Sequence, residues 1–524
     1  MLSHFQKEDT IFIVFLLLIF IVFNINLGLM PVLADEPIRA LVSLEMVLSG
    51  DYVFPTIAGE PYLNKPPLFN WIVGFLIKHT KNFSEWHLRI ISTGSFFILS
   101  ILHFIVCSKH VNKQIALWSS LAFLTCGRIL FYDSMMGYID PVFSLIVVAN
   151  FYLILIQSRK ESYFYLFAGS YILCTIGFFL KGFPACTFQF FTLLSVFIYR
   201  KKFRALISCA HAAGICIFIL LLSIYYYEYS ERMSLETVFN TLLHQSTQRT
   251  PASVGFNETL IHIASFPFQF IADFLPFSLL LLLFFRRNSI FLLKENDFVF
   301  VSFIIIGCNI VLYWLSAETR ARYLFMFLPL FFTVTFYLFQ KIYSDKVETS
   351  ISKIVLVLQL VSGVTILILP FLNRFSFIEY SVLKTGIPLA GICILLYVTI
   401  TKKLNSIFSL FILLVILRIS FNLYILPLRA KEATESVNKQ IGATIAALTK
   451  SKPLYLLAYP PINDDILYYI TLNKKQIIHQ KKRPPVAGNY YICNRYALKK
   501  RYHLTILYSF QVSYDNTTLY LVKK

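Results

Sequence analysis

The chain has 524 residues, of which 57% are hydrophobic, 17% aromatic and only 14% charged. A water-soluble domain carries about 25% charged residues, so the composition excludes a soluble globular fold and implies a polytopic membrane protein. The formal net charge is +20, but the lysines and arginines lie in short clusters between apolar runs. That pattern reads as membrane topology and attraction to anionic lipid, and no nucleic-acid partner is expected.

The first apolar run, 11–33, is long enough to cross a bilayer. A secretory signal cleaved after Ala34 is the competing reading. The length of the run and the many spans behind it favour an uncleaved first helix. Asp35 and Glu36 stand where the chain leaves this run, and an acid so close to hydrocarbon is a functional-site hypothesis by default. From Asp35 to Leu48 the apolar residues Ile38, Leu41, Val42, Leu44, Val47 and Leu48 fall at helical spacing, which predicts an amphipathic helix on the membrane surface. Lys65-Pro66-Pro67 cannot continue a helix and predicts a rigid loop. The stretch 68–79 predicts a second surface helix, so 34–85 is one long outer loop.

Twelve further apolar runs follow, at 86–107, 114–131, 140–157, 163–180, 184–199, 205–227, 263–285, 297–315, 323–340, 353–372, 384–400 and 406–426. Basic clusters occupy alternate connections: Lys109 and Lys113; Arg159 and Lys160; Arg200, Lys201, Lys202 and Arg204; Arg286 and Arg287; Lys341 and Lys346; Lys402 and Lys403. By the positive-inside rule these six connections and the amino terminus are cytoplasmic. The loop at Asp35, the loop 228–262 and the tail 427–524 are then extracytoplasmic. Lys181 falls at the apex between the runs 163–180 and 184–199. The outer loop 228–262 carries Glu228, Glu231, Arg232, His244, Arg249 and His262. The tail opens on a helix-like run at 430–449. Short β-rich runs follow, from Pro453, Asn489, Leu504 and Thr518, separated by turn residues. The expected architecture is therefore an all-α polytopic membrane domain, 1–426, with about thirteen transmembrane helices, and a small extracytoplasmic α/β domain, 427–524. No CxxC pair occurs among the nine cysteines, so neither a zinc site nor a disulfide framework is suggested.

The stretch Asp35–Trp71 carries Asp35, Glu36, Arg39, Ala40, Glu45, Met46, Ser49, Gly50, Asp51, Pro55, Gly59, Tyr62, Lys65, Pro66, Pro67, Leu68 and Trp71 in one order. It resembles the first extracytoplasmic loop of the GT-C superfamily of polyprenol-phosphate-sugar-dependent glycosyltransferases. The pattern is that of the 4-amino-4-deoxy-L-arabinose lipid A transferases and the protein-mannosyltransferase-like group. The resemblance implies an inverting glycosyltransferase in the cell (inner) membrane. Its donor would be a polyprenyl-phosphate-linked sugar, and its acceptor lipid A, another glycolipid, a surface polysaccharide or a protein. A transporter or flippase of lipid-linked saccharides, and a scaffolding subunit without chemistry, are the competing classes. Either sits less well with charges gathered at the outer span ends.

Sugar transfer from a polyprenyl phosphate needs a positioned acceptor, a carboxylate to orient or deprotonate it, and cations for the leaving phosphate. Asp35, Asp140 and Glu36 are the candidate catalytic acids. Each of Asp35 and Asp140 also precedes a proline as a helix cap would, and Glu36 competes with a solvated role. Asp140 is preferred to its neighbour Asp133 because Pro141 and Phe143 match the family context. Lys65, Lys181, Arg320, Arg322, Tyr323 and Arg39 are the candidate substrate-binding residues. Headgroup contact competes for the lysines, and one of Arg320 and Arg322 is open to a helix-anchoring role. Arg89 also matches the family, with a structural role preferred. Asn64 stands where relatives often carry an acid before the KPP lysine, which puts a metal site there in doubt. No cofactor is expected, with a divalent metal left open.

Overall fold

The computed structural model describes residues 7–247, 255–450, 452–481, 485–499, 502–512 and 517–524. Arg249, in the predicted loop 228–262, lies outside them. Among the described residues, eight helices are long and apolar enough to cross a membrane: Glu85–His110, Ile139–Arg159, Tyr163–Lys181, Cys209–Ser230, Asp297–Trp314, Asp345–Phe371, Ser381–Ile400 and Ser406–Glu432. A ninth candidate is the pair Lys113–Thr125 and Gly127–Met135, bent by 43°. The chain is a multi-pass membrane protein.

Each of the thirteen predicted runs contains a helix, but not each forms one straight span, and 11–33 is helical only as far as Asn24. The first forms α1, Lys7–Asn24, which begins with three charged residues. The run 263–285 divides into the helix Phe256–Asp273 and 3-10 turns over Phe277–Phe285. Those at 184–199 and 323–340 become helices of 16 and 15 residues, Pro184–Tyr199 and Leu328–Ile342.

Helices α2 (Glu36–Ser49) and α3 (Leu68–Thr80) form where the sequence predicts them. Pro37 starts α2 with its φ already set, and Gly50 ends it in the left-handed conformation with its N–H on the Met46 carbonyl. Between them lies a hairpin the sequence reading missed, β1 (Thr56–Ile57) and β2 (Glu60–Pro61). The turn residues Ala58 and Gly59 both have positive φ, as a two-residue hairpin turn requires. The buried carboxylate of Glu45 accepts from Thr56 Oγ1 at 2.6 Å, Ala58 N at 2.7 Å and Gly59 N at 3.2 Å. Burial raises its pKa, and those three bonds pull the other way.

The next elements are α4 (Glu85–His110), α5 (Lys113–Thr125), α6 (Gly127–Phe131), α7 (Ile139–Arg159), α8 (Tyr163–Lys181), α9 (Pro184–Tyr199), α10 (Cys209–Ser230) and α11 (Leu235–Thr247); α4, α5 and α7 are the most buried, and α10 is mostly exposed. Phe12, Phe96, Phe123, Phe143 and Trp118 lie in one continuous apolar core. His103, fully buried beside it, sits 2.6 Å from Tyr152 Oη and 2.7 Å from Ser119 Oγ. Polar groups without water must pair in this way. Contacts gather several basic clusters at one end of the bundle. Lys113 pairs with Asp9, Arg200 with Asp297 and Lys341 with Glu295.

At the opposite end the tail folds as a five-stranded sheet in the order β4-β3-β5-β7-β6. The strands are β3 (Leu454–Leu457), β4 (Gln480–Lys481), β5 (Tyr490–Asn494), β6 (Thr505–Gln511) and β7 (Thr518–Lys523). Four of them match predicted runs. The helix Asp464–Lys474 that crosses from β3 to the parallel strand β4 was not predicted. The tail rests on the first outer loop. Glu85 accepts from Lys439 Nζ at 2.6 Å and Tyr469 Oη at 2.8 Å. Gln480 N donates to the Ala58 carbonyl at 3.3 Å.

Candidate active site

Asp35 takes the N-cap position of α2, but its side chain makes no capping bond. Its neighbour Glu36 turns back on the preceding loop, accepting from Leu33 N at 3.0 Å. The Asp35 carboxylate is thereby free to face sideways, where Arg322 Nη2 donates to it. Asp140 is likewise not a cap. Tyr138 holds that position in α7, and Asp140 lies one residue inside the helix. Lys181, the last residue of α8, donates to Asp140, and Arg322 Nε lies 3.4 Å from its other oxygen.

These residues line one polar cavity of about 60 Å³ with Arg39, Lys65, Tyr138 and Tyr323. Arg39 is buried, gives Nη2 to Tyr62 Oη at 2.7 Å and finds no hydrogen-bond partner for Nη1 among the described residues. Arg322 stacks on the Tyr138 ring at 4.2 Å, and the Lys181 ammonium lies 4.2 Å from the Tyr323 ring centre. Aromatic faces of this kind hold a cation in place while leaving its N–H groups to donate elsewhere. A second, largely apolar cavity of about 530 Å³ shares Lys65, Lys181 and Tyr323 with the first and continues along Phe188, Leu312 and Tyr313. Lysines thus stand where a polar pocket meets a lipid-sized one.

Seven of the sequence candidates come together here: Asp35, Asp140, Lys65, Lys181, Arg322, Tyr323 and Arg39. Two do not. Glu36 is fully buried against Arg89, which donates to it through Nε at 2.9 Å and Nη2 at 2.8 Å. Arg89 also donates to the carbonyls of Leu27, Met30 and Pro31, so this pair pins the loop that carries Asp35. Arg320 is exposed and lies outside the cavity lining. Asp133 is bound to Arg128 at 2.8 Å and does not line the cavity. Tyr138 and Ile139 are the cavity residues that sequence reasoning missed, and their place directly before Asp140 was the available signal. Among the described residues no three His, Cys, Asp or Glu side chains gather to hold a metal ion. Asn64 is exposed, His244 is exposed, and His262 Nε2 reaches the Tyr313 carbonyl at 3.1 Å.

No family model matches the chain. Similar curated proteins include an undecaprenyl phosphate-α-4-amino-4-deoxy-L-arabinose arabinosyl transferase of Photorhabdus laumondii, 29% identical over 181 residues, which are 32% of this chain and 31% of that protein. The corresponding transferase 1 of Sodalis glossinidius is 27% identical over 190 residues, 34% of this chain and 33% of that protein. An uncharacterized Aquifex aeolicus protein is 31% identical over 120 residues, 22% of this chain and 28% of that protein. The matched stretch spans about a third of the length of these transferases. Two crystal structures of ArnT from Cupriavidus metallidurans are similar throughout. The one bound to undecaprenyl phosphate has a TM-score of 0.69 and 14% identity, covering 99% of this chain and 98% of that one. The apo structure has a TM-score of 0.68 with the same coverage. The chain therefore shares its fold with these ArnT structures, over 99% of its length.

Proposed function

We propose that this chain is an inverting membrane glycosyltransferase that moves a sugar from a polyprenyl phosphate to an acceptor on the extracytoplasmic face of the cell (inner) membrane. One observation carries the reading. The polar cavity that holds Asp35 and Asp140 opens, through Lys65, Lys181 and Tyr323, into the 530 Å³ apolar cavity. A polyprenyl phosphate has that shape and polarity, a charged head on an apolar tail. The ArnT of similar fold was crystallised with undecaprenyl phosphate.

The chemistry follows from charge. The polar cavity has four cations, Arg39, Lys65, Lys181 and Arg322, against two carboxylates. The formal surplus is two positive charges. A sugar phosphodiester brings one negative charge, and the phosphate monoester that leaves brings about two. The pocket therefore suits the departing group better than the bound donor, as a site complementary to the transition state should. An acceptor oxygen attacks the anomeric carbon from the face opposite the phosphate. The bond to the phosphate oxygen breaks with its electron pair. Asp35, the more exposed of the two acids, takes the acceptor proton. Asp140 is held between Lys181 and Arg322 and fixes both cations. In this scheme Glu36 and Arg320 touch neither donor nor acceptor. Glu36 is a positioning residue, and Arg320 anchors its helix end.

The end of the bundle that carries the basic clusters is then cytoplasmic, with the amino terminus. The site, the outer loops and the tail domain, 427–524, are extracytoplasmic. The test is transfer of a labelled sugar from synthetic undecaprenyl phosphate-4-amino-4-deoxy-arabinose to lipid A by the purified chain in nanodiscs. Donor-dependent product that vanishes in Asp35→Asn is expected. Donor that stays intact with every acceptor offered, glycolipid, glycan and protein, would overturn the reading.

A further inference from the structure

Nine cysteines are scattered through the chain, and all are free thiols. Among the described residues, one pair of their sulfurs meets. Cys174 of α8 and Cys186 of α9 bring Sγ to Sγ at 3.8 Å across a hairpin, twelve residues apart in sequence. Cys174 is buried and Cys186 half-buried. Spacing hides the pair, which exists only because α9 folds back on α8.

A disulfide needs backbones that approach closely and sulfurs that can close from contact to bonding distance. The first condition is met. One layer nearer the apex, a Cβ on Gly177 would lie 2.9 Å from the Ala185 Cβ, so α8 and α9 approach as closely as a glycine at the crossing permits. Rotation of two small side chains about χ1 closes the rest of the gap.

The position of the pair gives such a bond a consequence. Cys174 lies about two turns before Lys181, on the helix whose end presents that lysine to Asp140. Cys186 lies in the first turn of α9, where Pro184, Thr187 and Phe188 line the 530 Å³ apolar cavity, the donor cavity of the proposed function. Between the two cysteines stands Gly182, at φ 78° and ψ −143°, a conformation that glycine adopts readily. It is a natural hinge between the two helices.

We infer that Cys174 and Cys186 form a reversible disulfide that clamps α9 against α8 and slows entry of a polyprenyl phosphate into the apolar cavity. The oxidant is a second disulfide, RSSR, of the kind an oxidising extracytoplasmic space maintains. Cys186, the more exposed thiol, attacks one sulfur as its thiolate, and the first RSH leaves with its proton. Cys174 then attacks the Cys186 sulfur of the mixed disulfide and releases the second RSH. Two electrons pass from the cysteines to RSSR, and a dithiol reverses both steps. In the reduced state α9 turns about Gly182 as an isoprenoid chain passes Phe183 and Phe188. The bond removes that motion while Lys181, Asp140 and Arg322 keep their places, so loading slows and chemistry at saturation does not. The identity of the entering lipid rests on the transferase reading above; the bond does not.

The full chain in nanodiscs is treated with dithiodipyridine and then with dithiothreitol, beside Cys174→Ala carried through the same steps. Peptide mass spectrometry without reductant reads the link, and association of undecaprenyl phosphate and transfer kinetics read its effect. A cross-link between Cys174 and Cys186 is expected in the oxidised protein. Association of undecaprenyl phosphate and kcat/KM for the donor should both fall roughly three- to tenfold, with kcat changed by less than about twofold. Dithiothreitol should restore both, and Cys174→Ala should show neither change. Failure of the two cysteines to link, or a link that leaves association unchanged, would overturn the inference. So would a fall in kcat as large as that in kcat/KM, which would place the clamp on chemistry rather than loading. If the link forms and association slows but no sugar moves in either state, the transferase reading falls and the clamp stands.

Discussion

Arg322 donates to Asp35 across 287 residues of sequence. This contact ties the 3-10 turn Ala321–Leu324 to the start of α2. The same guanidinium lies beside Asp140, so one side chain sets the spacing of both acids.

Asp35→Asn should reduce transfer about 100-fold to 10,000-fold, the range for removal of a positioned proton acceptor. Its apparent melting temperature in detergent should stay close to that of the unmodified protein, because Asp35 makes no capping bond in α2. Turnover within threefold of the starting enzyme would remove Asp35 from the mechanism.

The two neighbouring arginines should behave differently. Arg322→Lys should lose most activity, because a point charge cannot serve two carboxylates and stack on Tyr138 at once. A loss of one preorganised contact is about 3 kcal/mol in transition-state stabilisation, or roughly 100-fold in rate. Arg320→Lys should be nearly silent. Steady-state kinetics on the pair decides it, and a larger effect at Arg320 would reverse the assignment.

Glu36→Ala should destabilise rather than act on chemistry alone. It leaves Arg89 as a buried, unpaired charge, and breaking such a pair costs about 3–5 kcal/mol. Glu36→Ala with Arg89→Met should recover part of that loss. Urea or thermal unfolding of the two variants measures the difference. Equal stability of the single and double variants would show that the pair does not act as a unit.

The outer loop should loosen in acid. Asp51 has a lowered pKa. Its partial burial opposes ionisation, but the Phe54 N–H, Arg232 and the Val53 N–H together outweigh it. A depressed carboxylate gives stability that is present above its unfolded pKa and lost as pH falls through the folded value. The window therefore lies below about pH 4, the ordinary aspartate value. Hydrogen exchange over residues 51–66 should quicken there, and in Asp51→Asn the loop should exchange quickly at neutral pH as well. The gain is small because the Arg232 partner is half exposed. Exchange that is flat with pH in the unmodified protein would count against the tether.

Transfer should persist in excess EDTA. Asn64 stands in the loop beside Lys65, and the cavity lining offers two carboxylates already held by Arg322 and Lys181. Loss of activity in chelator, restored by one divalent ion, would show a metal acting at this site.

Local pattern was enough to place α2, α3, the long spans and four tail strands, because each rests on periodicity or on turn residues close in sequence. Asp35 and Lys65 were singled out from the Asp35–Trp71 motif, and Asp140 and Lys181 from their own local contexts; the fold brings the four to one cavity. What escaped depends on distant partners. Glu36 reads as a catalytic acid until Arg89, 53 residues away, is seen to bind it. Arg320 and Arg322 are equivalent in sequence, and only the 3-10 turn faces one inward and the other out. The broken runs at 114–131 and 263–285 keep their hydropathy through a bend or a change of helix type, which composition does not register. The helix Asp464–Lys474 is half polar at its start and lacks a long apolar stripe, so only its place against the sheet reveals it.

The hairpin β1–β2 gives the tail a mechanical part in whatever happens at Lys65. Its turn carbonyl at Ala58 receives the Gln480 N–H, its strands hang on Glu45, and Lys65 follows four residues after Pro61. The tail acts on that loop as a splint. Shortening the protein at residue 427 would leave every residue that lines the polar and donor cavities in the chain, and yet free the strip of backbone that leads into Lys65.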